Sequence, residues 1–166
     1  MDETWAITNQ MSFTEMRTAL RKVARDQPGL LTFVAASTED LSKEAVGFGN
    51  FFFFMILTTF QMASSKKIRI IKPPRIEAAF SANEEFLMKL ENADDRFFER
   101  IAKVSASRQP NLFHAVVGAM NEPLDDPDDR PATYLTPEEQ GALFITLKTV
   151  IDVLDDAVAK QQSAGR

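Results

Sequence analysis

Apolar residues in this chain recur mostly at intervals of three and four, the spacing that gathers them on one side of an α-helix. Ser12-Phe13-Thr14-Glu15 has the form of a capping box, and Met16, Leu20 and Val23 continue the stripe behind it. Pro28 ends that helix and can open the next one, because a proline in the first turn loses no intrahelical hydrogen bond. The apolar stretch 30–37 that follows is short enough to fit either a helix or a buried strand. A longer helix is predicted over about 42–63, capped by Ser42 or Thr38.

The pattern then breaks. In residues 66–75, Ile68, Ile70 and Ile71 lie among Lys66, Lys67, Arg69, Lys72 and Arg75, and Pro73-Pro74 is read as excluding helix there. Ser81-Ala82-Asn83-Glu84 reads as a second capping box, opening a helix with Phe86, Leu87 and Leu90. After a break near 92–95, Phe97, Phe98, Ile101 and Val104 resume the period. Gln109-Pro110 opens a short apolar helix running to Met120, and 121–135, rich in Pro and Asp, reads as a loop. The last helix has the plainest start. Thr136 stands at the N-cap, Pro137 at the first helical position and Glu139 three residues after the cap. Leu143, Leu147, Val150, Leu154 and Val158 form its stripe, while Lys148, Asp152, Asp155 and Asp156 are predicted to form a solvated face. These elements predict an all-α bundle of six or seven helices in one domain, 1–166, with few or no strands.

An internal duplication would give the bundle a pseudo-symmetric form. Gln27-Pro28-Gly29-Leu30-Leu31 resembles Gln109-Pro110-Asn111-Leu112-Phe113. Leu41-Ser42-Lys43-Glu44 with Gly47 resembles Leu135-Thr136-Pro137-Glu138 with Gly141. The repeat units would be 12–64 and 94–160, joined by a connector, 65–93, with the acidic loop inserted in the second copy.

That alignment draws attention to the helix containing Phe51-Phe52-Phe53-Phe54-Met55-Ile56-Leu57. It is long enough to span a bilayer, but Gly47, Gly49, Asn50, Thr58, Thr59 and Gln61 dilute it. Phe52, Phe54 and Met55 align with Thr146, Lys148 and Thr149, positions read as facing water in the second copy. A helix apolar on all sides needs cover on all sides. The expectation is therefore an interface at Phe52, Phe54 and Met55 with a second copy of the chain; a central helix in a monomer is the alternative.

Composition removes several classes of chemistry. The 166-residue chain has no cysteine, which leaves no disulfide, thiolate metal site or cysteine nucleophile. The acidic start, Met1-Asp2-Glu3-Thr4-Trp5, does not resemble a signal peptide, so a cytoplasmic location is expected. A net charge of −5 makes nucleic acid a poor partner, and neither membrane insertion nor a membrane partner is expected. Lys66, Lys67, Arg69, Lys72 and Arg75 form a weak anion patch at best, with no aromatic side chain to stack on a base.

His114 is the lone histidine and reads as structural. The acidic loop, with Glu122, Asp125, Asp126, Asp128 and Asp129, lacks the glycine and ligand spacing of a calcium loop. Asp152, Asp155 and Asp156 have no companion histidine for a bundle metal site. No catalytic residue, cofactor or metal ligand is predicted. The leading expectation is a non-enzymatic interaction or assembly protein, with self or another protein as partner. A binder of an apolar small molecule held between the two units comes second, and an enzyme whose site the sequence hides comes third.

Overall fold

The computed structural model describes residues 13–64, 66–91, 109–123 and 134–163, and among them forms six helices and no strand. In chain order these are α1 (Phe13–Asp26), α2 (Pro28–Thr38), α3 (Lys43–Ala63), α4 (Pro73–Glu91), α5 (Pro110–Ala119) and α6 (Pro137–Ser163). The all-α expectation holds.

Local chemistry sets most of the boundaries. Pro28 and Pro110 each occupy the first turn of their helix, as predicted, and the apolar stretch 30–37 is helical rather than extended. Ser42, rather than Thr38, caps α3; its Oγ accepts from the Ala45 amide at 3.2 Å. Thr38 instead sends its hydroxyl back to the Val34 carbonyl at 2.9 Å, inside α2. At the start of α6 the predicted N-cap, Thr136, and the acid three residues on, Glu139, form a complete capping box. The Glu139 amide donates to Thr136 Oγ1 at 3.2 Å, and the Thr136 amide donates to Glu139 Oε2 at 2.8 Å.

Two boundary expectations fail together. Pro73-Pro74 does not exclude helix; it begins α4, because both rings fall in the first turn, where an amide would lack an intrahelical partner anyway. Ser81-Ala82-Asn83-Glu84 is consequently no cap but lies inside α4. The capping box expected at Ser12, the helix carrying Phe97, Phe98, Ile101 and Val104, and most of the acidic loop lie outside the described residues.

The α6 helix is the hub of the described bundle, packing against α2, α3, α4 and α5, while α2 also packs against α1, α3 and α4. Phe53, Ile56 and Leu57 of α3 and Leu143, Phe144, Leu147, Ile151 and Leu154 of α6 are fully buried and form much of the core. Each such side chain contributes roughly 1.5–3 kcal/mol through removal from water. Gly49 lets α3 come close: a Cβ there would stand 2.9 Å from Leu143 Cδ2. Residues 52–57 of α3 are all buried, so no side of that helix is left in water over this stretch.

The reading of α6 as a surface helix needs correction. Thr146 and Thr149 are buried, and Lys148, Asp152, Asp155 and Asp156 are half-buried rather than a solvated face. The physical reason is that a helix packed on several sides must bury more than its apolar stripe, and does so by giving each polar group a partner. Thr146 donates to the Ala142 carbonyl at 2.7 Å, and Thr149 accepts from Asn83 Nδ2 at 3.1 Å.

The expected repeat units, 12–64 and 94–160, compare only in part, because residues 94–108 and 124–133 lie outside the described residues. Within it, Gln27 and Gln109 take nearly the same backbone conformation before their prolines, with φ/ψ of −142°/62° and −122°/61°.

Candidate functional sites

The structure gives the basic connector a defined shape. Residues 66–72 run between α3 and α4 as a strap with no regular secondary structure beyond a bend at Lys66. Two glutamines hold its backbone. Gln161, on α6, donates to the Lys67 carbonyl at 2.9 Å and accepts from the Arg69 amide at 3.1 Å. Gln27, before α2, donates to the Arg69 carbonyl at 3.0 Å and accepts from the Ile71 amide at 3.0 Å. Each carboxamide thus pairs with a carbonyl and the amide two residues later, as a neighbouring strand would. Gln27 is almost wholly buried, so these bonds replace water that cannot reach it.

Side chains anchor the same strap. Ile68 and Ile71 enter the core. Gly29 gives the strap room, since a Cβ at that position would lie 3.1 Å from the Ile71 carbonyl oxygen. Lys67 Nζ reaches buried Asp26 Oδ1 at 2.8 Å. That hydrogen bond, opposed by burial and helped by the Lys67, Arg25 and Lys22 charges, holds the Asp26 carboxyl below the usual aspartate range. Arg75, in the first turn of α4, pairs with Asp156 of α6 at 3.1 Å.

Of the five predicted patch residues, Lys67 and Arg75 are therefore engaged in holding elements together. Lys66, Arg69 and Lys72 are exposed, and no side-chain ion pair engages them among the described residues. Ile70 stands out beside them, 59% exposed.

A second polar cluster lies between α4 and α6, which run antiparallel because Arg75 meets Asp156 while Asn83 meets Thr149 and Asp152. Asp152 Oδ2 accepts from Asn83 at 3.1 Å and from Lys148 at 2.6 Å. Lys148 Nζ also lies 5.9 Å from the centre of the Phe86 ring, which replaces part of its lost hydration with a cation–π contact. Similarly, Gln109 donates to Asp155 at 2.8 Å, tying the start of α5 to α6. The sequence reading set these aspartates apart as candidates for a metal and rejected them; here they accept hydrogen bonds and ion pairs that join helices.

Glu139 links two helix starts. Besides closing its own capping box, its Oε1 accepts from the Ser42 amide at 3.2 Å, so one carboxylate serves the N-termini of both α3 and α6. Hydrogen bonds from Ser42, then from the Thr136 amide, hold its carboxyl below the usual glutamate range. The positive ends of both helix dipoles favour the same charge state.

The expected interface residues stand differently. Phe52, Phe54 and Met55 are buried within the single chain, at 6%, 5% and 3% exposure. The argument that a second subunit must cover them rested on Thr146, Lys148 and Thr149 facing water. With those positions buried or half-buried, it no longer holds. His114 is exposed on α5. Among the described residues no group of three or more acidic or histidine side chains is placed to hold a metal ion.

Sequence reasoning missed Gln27, Gln161 and Asn83 as organising residues, and for Glu139 it foresaw the bond to its own helix start but not the one to Ser42. One signal existed for the first: glutamine is a poor N-cap, yet Gln-Pro occurs twice before a short apolar helix. Neither side chain caps its helix; each reaches to a distant element instead. In comparisons with protein-family models, curated proteins and solved structures, nothing matched this chain.

Proposed function

We propose that this chain is a non-catalytic interaction or assembly protein that offers a rigid helical body to another macromolecule. The observation that carries this reading is how its interior polar groups are used. Gln27 bonds to the strap, Gln109 to Asp155, and Asn83 to both Thr149 and Asp152, so among the described residues these groups are spent on joining elements of the fold, and the place where three of them converge is a seam between two helices. Catalytic sites usually need a nucleophile, base and orienting group within hydrogen-bond reach of one another. The outward chemistry is better suited to recognition: a basic strap with an exposed isoleucine, and further exposed side chains at Met62, Met88 and Tyr134.

Native mass spectrometry of the protein purified from its own cells tests this. The expected result is a complex with another chain, either a second copy or a different protein. A monomer carrying one tightly held apolar small molecule would overturn it in favour of a ligand-binding bundle.

A further inference from the structure

The basic strap is built in a way that a plain connector does not require. Connectors are usually free to move, and a mobile segment must lose entropy whenever it binds. Residues 67–71 are instead fixed at both ends of their backbone by Gln161 and Gln27, with Ile68 and Ile71 buried beneath. The structure therefore holds the backbone from which the strap's exposed side chains project in place before any partner arrives. Those side chains are Lys66, Arg69, Ile70 and Lys72, followed by the exposed rings of Pro73 and Pro74 at the start of α4.

Charge around the strap is sorted to leave it positive. Asp26 and Asp156, the acidic groups bonded to this region, are occupied by Lys67 and Arg75. Lys66, Arg69 and Lys72 remain without an acidic side-chain partner among the described residues. The overall charge of −5 opposes contact with an anionic surface at long range. At physiological ionic strength, however, the field of distant charges decays within about 8 Å, so the local cations decide.

The exposed isoleucine selects the kind of anion. Single-stranded nucleic acid is held by aromatic stacking, and the strap has no aromatic residue. An acidic peptide would leave Ile70 in water unless it brought an apolar pocket. A phospholipid surface offers phosphates and carboxylates at the level of the cations, with acyl chains just below to receive a branched apolar side chain.

We propose that the strap 66–72 docks on the anionic face of a lipid bilayer, with Lys66, Arg69 and Lys72 over the headgroups and Ile70 entering between them. This goes beyond the interaction reading above and does not involve insertion of α3, whose residues 52–57 stay in the core. A cation beside an anionic bilayer strengthens partition by roughly fivefold, so three give on the order of a hundredfold.

The test is cosedimentation of the full chain with vesicles of equimolar phosphatidylserine and phosphatidylcholine, against vesicles of phosphatidylcholine alone. Binding to the first, weakened by added salt and at least tenfold weaker to the second, is expected. The Lys66→Ser/Arg69→Ser/Lys72→Ser variant should lose that preference while keeping its helical circular dichroism. Ile70→Ser should lower partition severalfold with the salt dependence unchanged. Equal affinity for both vesicles, or none for either, overturns the proposal, as does binding of single-stranded RNA in place of vesicles. Should the triple variant fail to fold, the vesicle comparison on the parent chain and the Ile70→Ser variant decide the matter. Failure here would leave the mass-spectrometric test of a protein partner untouched.

Discussion

At the scale of single residues, buried Gln27 joins the strap to the start of α2. Its carboxamide supplies partners to the Ile71 amide and the Arg69 carbonyl, groups that an extended strap cannot satisfy internally. Gln27→Leu keeps the volume but leaves these groups unpaired, and should destabilise the fold by about 2–4 kcal/mol in urea denaturation. Gln161→Leu breaks an equivalent pair of bonds that lie exposed, where water can replace them. Its loss should stay below about 1 kcal/mol. Asp26 adds a pH dependence. Its folded carboxyl ionises more readily than the unfolded one, mainly through the Lys67 hydrogen bond. That contribution is present above the unfolded value, near 3.9, and is lost as pH falls towards the lower folded value. Asp26→Asn should therefore flatten the stability profile below about pH 4 relative to the parent chain, read by denaturation at a series of pH values.

At the scale of elements, the close approach of α3 to α6 gives two neighbouring glycines opposite roles. Both lie within a helix, where replacing glycine by alanine gains about 0.5–1 kcal/mol from the restricted unfolded chain. At Gly47 nothing lies within 4 Å of an added Cβ, so Gly47→Ala should be stabilising. At Gly49 the added atom would meet Leu143 Cδ2 at 2.9 Å and Thr38 Cγ2 at 3.4 Å, and both of those residues are buried. Overpacking of this kind costs about 1–3 kcal/mol, so Gly49→Ala should be destabilising in thermal unfolding despite its better helix propensity. The element boundaries themselves were largely readable. Ser42, Thr136 and the two Gln-Pro junctions declare helix starts through local chemistry that needs no tertiary contact. Ser81 carries the same local signal and was misread, because a serine and a glutamate three apart also occur inside helices. Pro73 was the better guide to where α4 begins.

At the scale of the whole molecule, what the sequence withheld was which faces turn inward. A stripe such as Leu143, Leu147, Val150 and Leu154 announces one buried side, but periodicity is silent on how many neighbours a helix has. The α6 helix packs against four others, so its threonines and acids also enter seams, and their partners lie far along the chain: Asn83 for Asp152, Gln109 for Asp155, Arg75 for Asp156. The same limit produced the expected interface at Phe52, Phe54 and Met55. Those side chains were assigned to a second subunit because their aligned positions in α6 were taken as wet. Six consecutive buried positions, 52–57, cover every direction around the α3 axis, which marks it as a central core helix of this one chain. Phe54→Ala should then cost about 3–5 kcal/mol, the range for emptying a well-packed aromatic site. Phe54→Glu should abolish the cooperative fold, because an unpaired carboxylate would be placed where water does not reach. The sedimentation coefficient of the parent chain should not depend on this residue, and the Phe54→Ala variant, while still folded, should sediment as the parent does. A soluble, folded Phe54→Glu protein of smaller assembly size than its parent would show instead that the phenylalanine lies at a surface between chains.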